Sequence, residues 1–126
     1  MVNARNKGAA GEREFCQWLK ANLKLEASRN LDQPREGGID IIVSPFGFEV
    51  KRCQTLSFVD WWIQAKTACE KIWDMERVHL MPVVAFRQNQ MPWEFLISAN
   101  NIGCEKGFIR ISEKVFVEWS DRFIKV

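Results

Sequence analysis

Three ionisable residues lie inside a stretch of sequence that otherwise reads as two buried strands and ends on Arg52. The stretch GGIDIIVSPFGFEVKR, residues 37–52, carries Asp40 in its first apolar run and Glu49 and Lys51 in its second. Burial of an isolated charge costs several kcal/mol unless a partner compensates it. These residue types at these positions therefore predict a cluster in which the side chains compensate one another or share a bound ion.

The expected hairpin geometry would bring the three side chains together. Side chains alternate between the two faces of a strand, so Glu49 and Lys51 point one way while Phe48 and Val50 point the other. The turn residues 45–47, Pro-Phe-Gly, join the two runs as a hairpin. Asp40 on the first strand would then come close to Glu49 and Lys51.

An N-terminal helix supplies a further carboxylate. Residues 6–24, NKGAAGEREFCQWLKANLK, predict a helix with Phe15 and Leu19 on its core stripe. Glu12 falls on the same stripe, whereas Glu14 is expected to point outward. A structural alternative exists for Glu12, because the helix dipole favours a carboxylate in the first turns.

The chemistry of these residues suits a hard cation. Carboxylates accept hydrogen bonds but do not donate them when ionised, so three that converge repel one another unless a cation lies among them. An all-oxygen ligand set without His or Cys favours Mg²⁺, with Mn²⁺ able to substitute, over zinc. Lys51 could orient or deprotonate a water or stabilise charge at phosphorus. The set predicts metal-assisted phosphodiester hydrolysis, and the alternative is a solvated rim of charges at a strand end.

Length and composition favour one domain over residues 1–126 with an ordinary core. The chain is 47% apolar and 27% charged, which argues against disorder, and no apolar run reaches the length of a membrane span. The N-terminus lacks the apolar core of a signal peptide. The four cysteines have no metal-ligand spacing and predict reduced thiols in the cytoplasm, or in the host cytoplasm if the protein is viral.

The remaining periodicities predict a mixed sheet flanked by helices, an α/β fold with the element order α-β-β-β-α-β-β and a C-terminal element. A short strand is expected at residues 25–30, followed by a loop at 31–38. The apolar run 39–44 is expected to be central in the sheet, and Ser57 is expected to cap a helix over 57–75. Pro82 predicts an edge position or a later start for the strand over 79–87. Further predicted elements are strands at 93–99 and 107–112 and a helix at 113–124.

The N-terminal half resembles the PD-(D/E)XK nuclease superfamily, which has the restriction-endonuclease-like fold. Within it, NKGAAGEREF followed by GGID and FEVKR is most similar to archaeal-type Holliday junction resolvases and related small phage-encoded resolvases. The similarity covers residues 6–53. Ile39 precedes Asp40 in place of the proline that gives the superfamily its name.

The resemblance implies roles for individual residues. It implies that Glu12, Asp40 and Glu49 bind metal, that Lys51 is catalytic, and that the protein is a homodimer acting on branched DNA such as a four-way junction. Some members have a glutamine on the helix after the lysine strand, for which Gln64 is the candidate. The residues expected to contact DNA are basic and comprise Arg5, Lys7, Arg13, Arg29, Arg35 and Arg52.

The sequence leaves several alternatives open. Residues 1–53 hold nine Lys or Arg and seven Asp or Glu, so metal binding would make this half distinctly basic. A nuclease of this fold could instead act on flaps, ends or specific sites, or the fold could be a non-catalytic DNA-binding module. Tryptophans 61, 62, 73, 93 and 119 could form a dimer patch or pack in the core. The host process could be recombination, repair at replication forks or viral genome packaging.

Overall fold

The computed structural model describes residues 4–30 and 38–124, with the side chains of residues 4–7 left outside the description. It confirms an α/β fold in which helices flank a mixed five-stranded sheet. The helices are α1 (Ala4–Leu23), α2 (Phe58–Glu76) and α3 (Glu113–Ile124), with a 3₁₀ turn at Ala99–Ile102. The strands are β1 (Ile41–Val43), β2 (Phe46–Arg52), β3 (Met81–Arg87), β4 (Glu94–Ser98) and β5 (Phe108–Ser112).

The strands follow one another across the sheet in chain order, β1-β2-β3-β4-β5. Neighbours are antiparallel except β2 and β3, which are parallel and are connected through α2. A parallel pair needs such a crossover, because the chain must return to the starting edge of the sheet. Consequently α2 covers one face of the sheet, while α1 and α3 cover the other.

An aromatic cluster fills the face under α1 and α3. Phe15 of α1 lies 5.0 Å from Phe48 of β2 between ring centroids, and Phe95 of β4 stacks on Phe116 of α3 at 3.9 Å. All four rings are fully buried. The face under α2 holds a second cluster, which includes Trp61, Trp62, Val84, Phe86 and Leu96. Trp61, Trp62 and Trp93 are therefore core residues, whereas Trp73 and Trp119 are half-buried.

Two predictions about the β1 region are wrong. Residues 25–30 form no strand and contribute only an isolated bridge from Arg29 to Ile41. The apolar run 39–44 yields a three-residue strand at the sheet edge, not at its centre. Ile39 and Ile41 are nonetheless fully buried, because α2 packs over the first and α1 over the second. Helix packing, rather than strands on both sides, explains the apolar character of this run.

Pro82 lies inside the sheet, contrary to the edge prediction. Its strand β3 pairs with β2 on one side and β4 on the other, so it is an interior strand. The N–H of Met81 donates to the Pro45 carbonyl on the β2 side, which directs the nitrogen of Pro82 toward β4. The pairing of β4 begins only at Val84, so the missing N–H of Pro82 removes no ladder hydrogen bond.

The structure confirms four further elements within one or two residues of their predicted bounds. They are the helices predicted at 57–75 and 113–124 and the strands predicted at 93–99 and 107–112. Ser57 precedes α2 but makes no side-chain capping hydrogen bond. Within the described ranges, no helix combines the length and apolar character needed to cross a membrane. The four cysteines are all free thiols. The predicted loop at 31–38 lies outside the described residues except for Gly38.

Candidate functional site

A pair of buried carboxyl groups lies at the β1 edge of the sheet. Asp40 directly precedes β1, and Glu49 is in the middle of β2; each residue is only 8% exposed. The N–H of Val50 donates to Asp40 Oδ2 at 2.8 Å. The Asp40 and Glu49 carboxyl groups lie near enough to each other for the charge of Asp40 to raise the pKa of Glu49.

Burial raises the pKa of both carboxyl groups. The pKa of Glu49 rises to about 8, first because of burial and then because of the neighbouring Asp40 charge, while Lys51 opposes the rise. The pKa of Asp40 is also raised, mainly by burial, and the charge of Glu12 adds to the rise. The Val50 N–H and Lys51 act in the opposite direction on Asp40. Two ionised carboxylates at this position would therefore repel each other, and a bound cation would reduce that repulsion.

Lys51 completes the cluster on the same face of β2. Its Nζ lies 3.6 Å from Glu49 Oε1, and its side chain is 24% exposed. Lys51 pairs in register with Phe86 and Glu49 with Val84 on β3, so apolar side chains border both charged groups on the interior side. This face of β2 thus brings an ammonium group and two carboxyl groups together in a poorly solvated position.

Glu12 adjoins this cluster but has a different partner. It is buried on α1, and Arg29 Nε donates to its Oε1 at 2.9 Å. Arg29 is fixed beside β1 by its bridge to Ile41 and by the adjacent hydrogen bond from Asn30 N–H to the Asp40 carbonyl. The prediction that Glu12 points inward is therefore confirmed, and its charge is near enough to raise the pKa of Asp40.

The donor set fits a hard divalent cation in its chemistry. Asp40 and Glu49 offer only oxygen atoms, and neither His nor Cys ligands accompany them in the predicted set. Among the residues that the structure describes, no group of three or more His, Cys, Asp and Glu side chains is arranged to hold a metal ion. Glu12, the predicted third ligand, is instead paired with Arg29. The three-carboxylate ligand set accordingly stays a prediction.

A second acidic contact was not expected from the sequence. Glu14 was predicted to point outward, but it is half-buried and its carboxylate contacts Arg52 of β2 and Arg87 of β3. The prediction is wrong because both arginines lie at strand ends directly below this turn of α1. Arg87 was not recognised as a candidate; its only sequence signal is its position at the end of an apolar strand.

The other predicted residues lie outside this cluster or outside the description. Arg13 is exposed on α1, and Gln64 is exposed on α2. Arg5 and Lys7 belong to α1, but their side chains are not described, and Arg35 lies in the undescribed segment 31–37. The metal, catalytic and DNA-binding roles of all these residues remain predictions.

A cavity of about 880 Å³ opens at the other end of the sheet, between α2, the starts of β2 and β3, and the 3₁₀ turn. Its lining includes Trp62, Trp73, His79 and Trp119 but none of the carboxyl pair. His79 is exposed and stacks on Trp73 at 3.7 Å between centroids, in keeping with a structural role. The charged cluster thus lies apart from this cavity.

Comparisons with known proteins found a likeness among solved structures. No protein-family model matches the chain, and no curated protein matches it. The chain is similar to the 1.6 Å structure of Hjc, a Holliday junction resolvase from the hyperthermophilic archaeon Archaeoglobus fulgidus. The match has 22% identity and a TM-score of 0.49, and it covers 95% of this chain and 98% of that one. At these values the likeness by itself assigns neither activity nor residue roles to this chain.

Proposed function

We propose that this chain is a Mg²⁺-dependent, structure-selective DNA endonuclease that hydrolyses phosphodiester bonds in four-way (Holliday) junctions. The observation that carries the proposal is the proximity of the buried Asp40 and Glu49 carboxyl groups, with Lys51 Nζ 3.6 Å from Glu49 Oε1. A fold gains no stability from two carboxyl groups that must be desolvated side by side. Such an arrangement is typical of a site that awaits a cation and its substrate.

The proposed metal site is formed by Asp40 and Glu49, with Glu12 as a further ligand. A Mg²⁺ ion bound there, or Mn²⁺ in its place, would lower the pKa of a water and offset charge on phosphate oxygens. Asp40 is held for this task by the Val50 N–H, which donates to its Oδ2 at 2.8 Å. Arg29 competes for Glu12, so recruitment of Glu12 would free the guanidinium for a phosphate.

Lys51 is the proposed catalytic cation. Its ammonium group lies beside Glu49 and can orient the attacking water or stabilise the negative charge that develops on the phosphorus oxygens. Lys51 is the register partner of Phe86 on β3. A purely structural cation site would not require an ammonium group at this position.

We propose further that a homodimer acts on the junction, because two opposed strands must be cut and a two-fold axis matches that symmetry. The basic residues Arg5, Lys7, Arg13, Arg29, Arg35 and Arg52 would contact the DNA backbone, and Gln64 would support the site from α2. Recognition would depend on junction shape and phosphate contacts more than on base edges. The free thiols suit the reducing cytoplasm, where we place the activity.

The test is cleavage of a labelled four-way junction, beside flap, linear duplex and single-stranded DNA, with Mg²⁺, Mn²⁺, Ca²⁺ or EDTA. We expect paired, symmetric nicks on the junction with Mg²⁺ or Mn²⁺ and none in EDTA. Preferential cleavage of flaps or ends would support a nuclease of the same fold with another substrate. Binding without cleavage under every metal condition would support the non-catalytic module and reject the enzyme.

A further inference from the structure

A carboxylate bridges two arginines at the end of the sheet nearest Lys51. Glu14 Oε2 lies 3.5 Å from Arg52 Nε, and Glu14 Oε1 accepts a hydrogen bond from Arg87 Nη1. The side chains are 33% exposed for Glu14, 24% for Arg52 and 30% for Arg87. All three therefore combine a fixed position with access to solvent, and the group carries two positive charges against one negative charge.

The two arginines occupy equivalent positions on neighbouring parallel strands. Arg52 ends β2, Arg87 ends β3, and the two residues are register partners. Ligands of α/β proteins commonly bind outside the carboxyl ends of parallel strands. Arg52 also directly follows Lys51, and successive side chains of a strand point to opposite faces. The arginine pair thus adjoins the proposed site but faces the α1 side of the sheet.

A polar network holds both guanidinium groups in place. Arg87 Nε donates to the Met91 carbonyl at 2.7 Å, and Arg52 Nη1 donates to Asn89 Oδ1. Gln54 Oε1 in turn accepts a hydrogen bond from the Asn89 N–H at 2.8 Å, which ties the β2–α2 loop to the β3–β4 turn. Preorganised guanidinium groups lose little freedom when they bind an oxyanion.

Gly11 shows how closely α1 lies against this group. A Cβ at Gly11 would come within 2.9 Å of Arg52 Cβ, so only a residue without a side chain allows the helix to approach the strand end. This approach delivers the Glu14 carboxylate, one turn further along α1, to the guanidinium groups. Arg13, the preceding residue of α1, is exposed.

We infer that Arg52 and Arg87 form a binding site for a backbone phosphate other than the one that is hydrolysed, and that the Glu14 carboxylate occupies this site until DNA displaces it. A carboxylate held by two guanidinium groups has the charge and donor pattern of a bound phosphodiester. The inference rests on the proposed function, since it needs a DNA partner. It adds Arg87 as a phosphate-contacting residue and Glu14 as an internal competitor of the phosphate.

The experiment measures the affinity of the full-length protein for a labelled four-way junction in EDTA over a range of salt concentrations. Arg87→Gln should weaken binding and reduce the slope of log K against log salt by about 0.7 to 0.9, the value for one phosphate contact. Glu14→Gln should tighten binding at low salt by about fivefold, because it removes a charge that competes with phosphate. The matched control is Arg110→Gln, which removes an arginine of β5 that is paired with Glu94 of β4 and should leave the slope unchanged.

The direction of the Glu14→Gln effect separates this inference from a structural role. If Glu14 only braces the two arginines, its replacement would weaken binding, and the inference would be wrong. Should Arg87→Gln fail to fold, the Glu14→Gln result decides by itself. A wild-type slope in folded Arg87→Gln would also overturn the inference while the proposed function stands. If the wild-type protein neither binds nor cleaves DNA, both this inference and the proposed function are wrong.

Discussion

The two faces of β2 carry side chains of opposite character. On the α1 side, Phe46, Phe48 and Val50 are buried in the aromatic cluster. On the α2 side, Glu49 is buried beside Asp40, and Lys51 is half-buried next to it. The backbone is common to both faces, so the contrast isolates what the side chains contribute. Burial of the apolar face stabilises the fold, and desolvation of the titratable groups on the other face offsets part of that stabilisation.

The contrast teaches that the site depends on the core opposite to it. The aromatic contacts of Phe48 fix the strand, and the fixed strand keeps Glu49 beside Asp40 in spite of their repulsion. Substitutions on the two faces should therefore separate stability from activity. The aromatic face should mainly change the free energy of unfolding, and the charged face should mainly change the reaction rate.

The largest expected effect is on catalysis by the charged face. Lys51→Ala should reduce junction cleavage in Mg²⁺ by about 10²- to 10³-fold, because it removes a preorganised cation from the transition state. Asp40→Asn should have an effect at least as large, while binding of the junction survives. Initial cleavage rates check this, with the melting temperature as a measure of folding. The control Lys114→Ala, at an exposed position of α3, should cleave normally. Normal cleavage by both site variants would show that the site is misassigned.

Substitutions on the aromatic face should change the free energy of unfolding. Phe48→Ala should lower the free energy of unfolding by about 3 to 5 kcal/mol, because Phe48 is fully buried and contacts Phe15. Urea denaturation at constant pH measures the change. Ile42→Ala, on a side chain that is 41% exposed at the sheet edge, should change it by about 0.5 kcal/mol or less. Equal losses for the two variants would contradict the division between the faces.

Gly47 lies on the charged face of β2, in close steric contact with α2. An added Cβ at Gly47 would lie 2.8 Å from Cys69 Sγ and 3.3 Å from Ile39 Cγ1. Gly47→Ala should therefore lower the free energy of unfolding by about 1 to 3 kcal/mol through overpacking. Cys69→Ala should cost less in the Gly47→Ala background than alone, since it makes room for the new methyl group. A double-mutant cycle by urea denaturation would detect this coupling, and additive effects would contradict it.

The smallest effect is a pH dependence of stability in EDTA. Glu49 has an ordinary pKa of 4.5 and a folded pKa of about 8, so between these values the folded state binds more protons than the unfolded state. The free energy of unfolding should then fall as the pH rises from 4.5 to 8. Glu49→Gln should remove much of this decline and raise the melting temperature at pH 9 by about 4 °C relative to wild type.

Thermal unfolding of both proteins at pH 5 and pH 9 makes the comparison. The control Glu118→Gln, on an exposed position of α3, should keep the wild-type pH dependence. A Glu49→Gln variant that declines as steeply as wild type would show that the Glu49 carboxyl is ionised in the folded state at neutral pH.

The sequence by itself determined the elements that have strong periodicity. Three helices and the strands β2 to β5 follow from apolar repeats of 3.6 and 2 residues, which depend on local geometry alone. It also identified Glu12, Asp40 and Glu49 as inward-facing, because charges on an apolar stripe or strand are anomalous in any fold. The position of β1 at the sheet edge could not be predicted from the sequence, because burial by helices and burial by strands both require apolar residues.

Only the tertiary structure decided which charges meet. The Glu12–Arg29 and Glu14–Arg52–Arg87 contacts join residues from separate elements, and each depends on the angle at which α1 crosses the strand ends. The local signal of Arg87, its position at the end of an apolar strand, does not indicate a site, because an arginine there usually faces solvent. Its proximity to Arg52 arises from the parallel pairing of β2 and β3, a long-range contact that no short stretch of sequence encodes.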